Sequence, residues 1–297
     1  MSISYKIDRV AHLSPEEFVA GYVRHRRPVL ISKGFEGCAA RHVWSLDHLR
    51  RRAGERRIVL KDWDESGIRL SHVRLDAYVD SLERYEAGDD EEAASRRRPP
   101  YLHDVPLTSI LADAAADLEQ FPCGFFPAWY GADWPKFAQL FLGPSGSVTP
   151  LHFDCLLTHN LFFQVMGRKK FTLLPYKQLV YCYPRDWRWC AVDVENPDYD
   201  RHPLFRSASP VEVVVEPGDV LYMPPGALHH VRSLDCGLSF NVDWHTKESA
   251  LRGALAFARG MPMKNVYYNS VIAFGMWTGV AARVLFPYYR SYLDYVS

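Results

Sequence analysis

From Phe137 to Trp244 the chain is built of short apolar runs, each ended by a turn residue, and few architectures accept that pattern. The runs are Phe137 to Leu142, Leu161 to Met166, Phe171 to Leu174, Val211 to Val215, Val220 to Met223 and Leu238 to Val242, with Gly-Pro-Ser-Gly and Pro-Gly-Asp turns among them. Strands this short and this frequent predict a barrel or a sandwich. The expected fold class is therefore mainly β with flanking helices.

The flanks read differently. Ser14-Pro15-Glu16-Glu17 is a helix start, with Ser14 at the N-cap, Pro15 at the first helical position and Glu17 completing a capping box. After the basic run Arg24-His25-Arg26-Arg27, Pro28 to Ile31 reads as a strand. Trp44 to Leu49 begins a helix capped by Ser45, Arg57 to Leu60 reads as a strand, and Leu75 to Tyr85 as a helix. Glu86 to Pro100 is charged and predicts an exposed loop. Its Arg96-Arg97-Arg98 triplet reads as a solvated turn, because acidic residues directly precede it.

From Lys247 onward the pattern returns to helix, with a break at Gly260-Met261-Pro262. Residues 1–247 are thus expected to form one domain and 248–297 a helical extension. Within the extension, Val271 to Phe286 is too short and too interrupted to span ~30 Å of hydrocarbon. It must still be covered, and both packing on its own domain and a homodimer interface remain open.

Charge and cysteine content narrow the setting. Among 297 residues, Lys plus Arg and Asp plus Glu both number 35, so no net positive field favours nucleic acid. The six cysteines stand singly with no CxxC pair, against a disulfide framework or zinc knuckle. Met1 to Val10 offers no signal-peptide core. A cytoplasmic protein without membrane or nucleic-acid partners is expected.

The chemistry concentrates in two places. In Thr149-Pro150-Leu151-His152-Phe153-Asp154, strand alternation puts His152 and Asp154 on one face, half of a metal site. Far downstream, the alternating strands and turns of Val213 to Gly226 deliver His229 and His230. Two imidazoles and one carboxylate leave coordination positions open, as in non-haem Fe(II) oxygenases. A zinc hydrolase uses a similar set, but the helical HExxH spacing is absent. Alternation lets only one of His229 and His230 face inward.

With these motifs the chain resembles the JmjC-type branch of the cupin superfamily, the 2-oxoglutarate-dependent hydroxylases. It is similar to cupin-like bacterial members and to the asparaginyl hydroxylase that inhibits hypoxia-inducible factor. The resemblance spans about residues 1 to 247. It rests on TPxHxD, then N-x-F/L-x-Q-V-x-G-x-K, then PGDxLYxPxxxxHH, in that order.

The resemblance implies a double-stranded β-helix (jelly roll) holding Fe(II) through His152, Asp154 and His229, the first histidine of its pair. It implies 2-oxoglutarate as co-substrate, with Lys169 facing its far carboxylate and hydroxyls from Thr149 and Tyr101. Asn160 and Asn241 match polar positions near the co-substrate. Lys170 is expected to be solvated, and His159 and His245 to be packing or surface residues; Tyr101 has core packing as its alternative. The implied reaction uses O₂ to hydroxylate a side chain in a peptide, protein or small molecule. No chromatin-reading zinc module points to demethylation. A metal-dependent cupin enzyme without 2-oxoglutarate and a catalytically silent binding module are the other readings.

The chain departs from the family pattern in three places. The interval from Asp154 to Asn160 is longer, an extra residue precedes Trp244, and Ala227-Leu228 replaces an aromatic pair before the third ligand. The space beside the metal is therefore roomier or filled from elsewhere. Phe121 to Tyr130, Trp134, Trp187 and Trp189 either line a peptide groove or form core.

Overall fold

The computed structural model describes residues 5–64, 67–88 and 98–293. Its strands are β1 (Asp8–Val10), β2 (Val29–Ile31), β3 (Arg57–Asp64), β4 (Gly67–Arg74), β5 (Leu102–Pro106), β6 (Ala138–Gly143), β7 (Val148–His152) and β8 (His159–Met166). They continue as β9 (Lys169–Leu174), β10 (Pro184–Arg185), β11 (Trp189–Cys190), β12 (Val211–Val215), β13 (Val220–Met223), β14 (Leu228–Ser233) and β15 (Gly237–Trp244). Each apolar run of the central segment is a strand, and turns with positive φ at Gly167 and Gly218 separate successive ones.

Two sheets carry the architecture. One has the order β1-β2-β13-β8-β15-β6-β5 and the other β10-β11-β7-β14-β9-β12, while β3 and β4 form a separate hairpin. The antiparallel sets β6-β15-β8-β13 and β7-β14-β9-β12 are the two halves of a jelly roll. Leu30, Phe162, Phe171, Leu173, Leu221 and Met223 fill the interior between them.

On the outer face of the larger sheet, Phe163 stacks on Phe240 with ring centroids 4.5 Å apart, and Phe35, Phe121 and Trp134 surround the pair. Most of the aromatic segment before the barrel is thus core: Phe121, Phe125, Phe126, Tyr130 and Trp134 are buried. The helix Pro15–Phe18 is capped as expected, with Ser14 N–H donating to Glu17 and Glu17 N–H donating to Ser14 Oγ. Ser45 accepts from His48 N–H and starts Leu46–Ala53.

Most of the expected 86–100 loop, residues 89–97, lies outside the described residues, as do residues 1–4. Arg98 is described, and its guanidinium donates to the Gly146 carbonyl at 2.5 Å.

The C-terminal apolar stretch is two helices, Met263–Thr278 and Ala282–Leu293, separated at Gly279. They pack on the barrel through Phe286 and Tyr289 against Phe137. Phe274, Trp277, Val284 and Tyr288 face outward, each more than half exposed. Among the described residues no helix is long and apolar enough to cross a membrane.

Candidate metal centre

The site forms where inward-facing strand positions meet at one end of the jelly roll. Period-two alternation turns in Asn160 and Phe162 on β8, Lys169 and Phe171 on β9, His229 and Val231 on β14, and Asn241 and Asp243 on β15. β7 breaks the period. Val231 pairs with Thr149 but His229 pairs with His152, so three steps on β7 match two on β14. That bulge brings both Thr149 and His152 into one cavity.

His152, Asp154 and His229 each offer one ligand atom, and these atoms lie within 4.8 Å of one another. His229 Nε2 is 3.7 Å from Asp154 Oδ1. The two imidazoles face each other across the ladder with ring centroids 4.1 Å apart. His152 Nδ1 lies 2.7 Å from the Pro150 carbonyl and His229 Nδ1 lies 3.0 Å from the Ala227 carbonyl. A carbonyl only accepts, so each ring carries its proton on Nδ1 and presents a bare Nε2 lone pair. Burial, then the proximity of His229, holds His152 well below the ordinary histidine range. Neutral imidazoles, a carboxylate and fixed tautomers are the donor chemistry a divalent iron needs.

Asn160 lies beside the acid. Its amide donates to Asp154 Oδ2 at 3.2 Å, leaving Oδ1 for the centre. Asn241 lines the same cavity, and its buried Oδ1 has no partner in the described structure.

His230 takes the opposite face of β14, where Nε2 lies 3.9 Å from Glu195. Glu195 also binds Arg232 and Lys170, which hold its carboxyl down at about 2. Lys170 is therefore engaged by Glu195 and Glu212 rather than simply solvated. His159 and His245 are packing residues: His159 stacks on Trp244 at 4.3 Å and meets the Tyr222 hydroxyl, while His245 Nδ1 contacts Ser249.

Lys169 is 1% exposed. Its ammonium donates to Tyr101 Oη at 2.6 Å and Ser239 Oγ at 2.9 Å, and the rings of Tyr101, Phe141 and Phe162 lie 5.2–5.4 Å away. Burial pulls it down to about 7. Tyr101, beyond packing, thus holds the buried ammonium directly. Thr149 is buried in the same cavity.

Several residues lay beyond the sequence reading. Ser239 and Asp243 share the inward face of β15 with Asn241, and the alternation Ser-Phe-Asn-Val-Asp carries the signal for all three. Burial, with Asp154 and Asp104 nearby, pushes the Asp243 carboxyl well above its usual range. Trp189, on β11, pairs with His152 and lies against its ring, with centroids 4.9 Å apart and planes tilted by 35°. Trp187 instead packs on Phe153 and donates to the Cys155 carbonyl. Tyr292, from the last helix, closes part of the cavity wall. Trp189, read in the sequence as groove lining or core, thus sits beside a candidate ligand, whereas no local pattern announces Tyr292.

Comparison with known proteins gives the family. The cupin-like domain family covers residues 15–250. The chain is 28% identical to lysine-specific demethylase 8 of Danio rerio over 247 residues, 80% of this chain and 58% of that protein. It is 26% identical over 241 residues to tRNA wybutosine-synthesizing protein 5 of Gallus gallus, covering 77% and 74% of the two chains. To the 2-oxoglutarate and iron-dependent oxygenase JMJD4 of Gallus gallus it is 25% identical over 258 residues, covering 80% and 59%. The chain spans little more than half the length of the first and third of these relatives. These matches carry the family and not the narrower asparaginyl-hydroxylase likeness. With its jelly roll, its His-Asp-His cluster and these relatives, the chain belongs to the cupin-like, JmjC-type family, whose oxygenases use Fe(II) and 2-oxoglutarate.

Proposed function

We propose that the chain is an Fe(II)- and 2-oxoglutarate-dependent oxygenase that hydroxylates a side chain of a peptide or protein. The observation that carries this reading is the buried Lys169 ammonium, solvated by two hydroxyls and sharing a cavity with the His-Asp-His cluster. A buried cation without a carboxylate costs several kcal/mol unless a ligand supplies the anion. A silent binding module has no use for that arrangement, and a metal enzyme without an acidic co-substrate has little.

In this reading His152, Asp154 and His229 hold the ferrous ion, and Asn160 fixes the Asp154 carboxylate for it. Lys169, with Tyr101 and Thr149, holds the far carboxylate of 2-oxoglutarate, and Asn241 lies alongside. When bound, iron with 2-oxoglutarate and O₂ supplies the oxidation, giving succinate, CO₂ and one oxygen atom in the substrate. Burial holds His152 below the ordinary histidine range, and the Pro150 and Ala227 carbonyls orient the two rings with Nε2 toward the ion.

Substrate is read more coarsely. Relatives named as lysine-specific and arginine-specific demethylases support a side chain as target. Oxidation at an N-methyl carbon and hydroxylation at a side-chain carbon share the chemistry. Their products separate by mass as loss of a methyl group or gain of one oxygen. The test is succinate formation from peptide libraries with iron, 2-oxoglutarate and oxygen each omitted in turn. Full turnover by His152→Ala or Asp154→Ala would end the proposal.

The exposed Phe274, Trp277 and Tyr288 support self-association through the C-terminal helices. Sedimentation of Trp277→Glu beside the unmodified chain reads it, with a monomer expected for the variant and a dimer for the parent. Six free thiols suit a reducing, cytoplasmic compartment.

A further inference from the structure

A second cavity, of about 310 Å³, opens at the metal-bearing end of the barrel, and the reaction proposed above leaves it unused. Its walls follow the ends of the site strands: Leu157 after β7, Tyr176 after β9, Gly226 and Ala227 between β13 and β14, and Ser249 after β15. Ala227 belongs to both places, since its carbonyl accepts from His229 Nδ1.

The remaining wall is basic. Arg26, Arg252 and Arg259 line the cavity, and no carboxylate lines it among the described residues. Arg252 is shared with Glu248, while Arg26 and Arg259 engage no carboxylate among the described residues. The run Arg24 to Arg27 divides here: Arg27 binds Asp8, and Arg26 goes to the cavity from a left-handed backbone at φ 51°. Few non-glycine residues adopt that conformation, and it recurs at binding sites. Tyr5 adds a buried hydroxyl without a partner among the described residues, and burial keeps it protonated as a donor.

Three guanidinium groups line this one cavity and Glu248 offsets only Arg252, so a bound oxyanion supplies the counter-charge that Arg26 and Arg259 do not have among the described residues. We propose that this cavity binds an oxyanionic group, phosphate or carboxylate, carried by the substrate beside the metal centre. The substrate role rests on the oxygenase reading; anion binding by itself does not.

The test uses the metal-free full-length chain, so its outcome is separate from turnover. Inorganic phosphate, N-acetyl-phosphoserine amide and N-acetyl-aspartate amide are titrated by calorimetry at constant ionic strength. Saturable one-site binding is expected, weakened about tenfold in Arg26→Gln and in Arg259→Gln, each removing one charge-assisted contact. Both arginines are exposed, so the variants keep the fold. Lys169→Met, which alters only the inner cavity, should leave phosphate binding intact. Binding of the phosphoserine probe alone assigns a phosphorylated substrate, and binding of both probes an acidic one. Absence of saturation, or loss of phosphate binding in Lys169→Met with both arginine variants unaffected, would overturn the proposal. If phosphate binds as expected while no succinate forms with any substrate, the anion site stands and the oxygenase reading falls.

Discussion

Two adjacent histidines of identical chemistry end in different roles because β14 alternates. His229 points inward to Asp154, and His230 points outward to Glu195. Replacing His229 by Ala should abolish iron-dependent turnover, whereas His230→Gln should keep iron affinity within about threefold. Equal iron loss in both, measured by metal titration, would contradict the assignment. Lys169 makes a sharper prediction, because its burial works against stability. With the folded value at about 7 and the unfolded one near the ordinary lysine value, the unfolded chain binds more protons between them. Stability therefore rises with pH through that window, and the full cost of the buried charge is felt below it. Lys169→Met should raise the stability of the co-substrate-free protein by about 1–3 kcal/mol near pH 7, with the gain shrinking toward pH 10. The same change should remove 2-oxoglutarate binding. In the parent chain, affinity for 2-oxoglutarate should fall as pH rises above about 7, because the ammonium must be present to meet the dianion. Urea titrations and 2-oxoglutarate titrations across pH check both. His152 and Asp154 were read from period two, although Asp154 falls just past the end of β7, whereas Lys169 and Asn241 came from the family motifs, on strands that keep that period. Ser239 and Asp243 sit in the same period and were equally readable.

Elements positioned residues that no period could. The β7 bulge turns Thr149 and His152 to one side, and it is set by pairing with β14, far away in sequence. The last helix is the stronger case. The family match ends at residue 250, yet Tyr292 reaches the cavity and meets Cys155 Sγ at 3.5 Å. The apolar run from Val271 to Phe286 called for a covering surface, but its break at Gly279 and its docking partner Phe137 depend on tertiary packing. Gly275 shows how close that packing is: an added Cβ would stand 2.4 Å from Leu285 Cδ1 and 2.8 Å from Trp129. Gly275→Ala should therefore cost about 1–3 kcal/mol. Tyr292→Ala should cost about 3 kcal/mol and raise 2-oxoglutarate consumption in the absence of substrate, since the cavity loses a wall. Tyr292→Phe should stay within about 1 kcal/mol of the parent. Denaturant titration and succinate release without substrate measure the three variants. Unchanged stability in Tyr292→Ala would mean that the helix does not hold the site closed.

At the scale of the molecule, zero net charge conceals two local groupings: one ammonium buried between the sheets, and three arginines lining one cavity, of which only Arg252 is paired with a carboxylate among the described residues. Composition argued against a diffuse basic surface but could not reveal either local grouping, because charge position is decided by topology. The same topology divides the site between the two sheets. His152, His229 and Lys169 belong to the smaller sheet, while Asn160, Ser239 and Asn241 belong to the larger one. Iron with 2-oxoglutarate would thus tie the halves of the jelly roll together, and ligands that bind only the folded state stabilise it by mass action. At about 100 times the dissociation constant each contributes about 2.7 kcal/mol, or roughly 5 °C in melting temperature for a chain of this size. Manganese(II), which replaces iron without oxidation, should raise the melting temperature alone, and 2-oxoglutarate should raise it further only with metal present. Lys169→Met should keep the first increment and lose the second, whereas Asp154→Ala should lose both. Differential scanning fluorimetry under nitrogen measures these shifts. A second increment that survives in Lys169→Met would place the co-substrate away from the buried ammonium, and with it the chemistry assigned to this cavity.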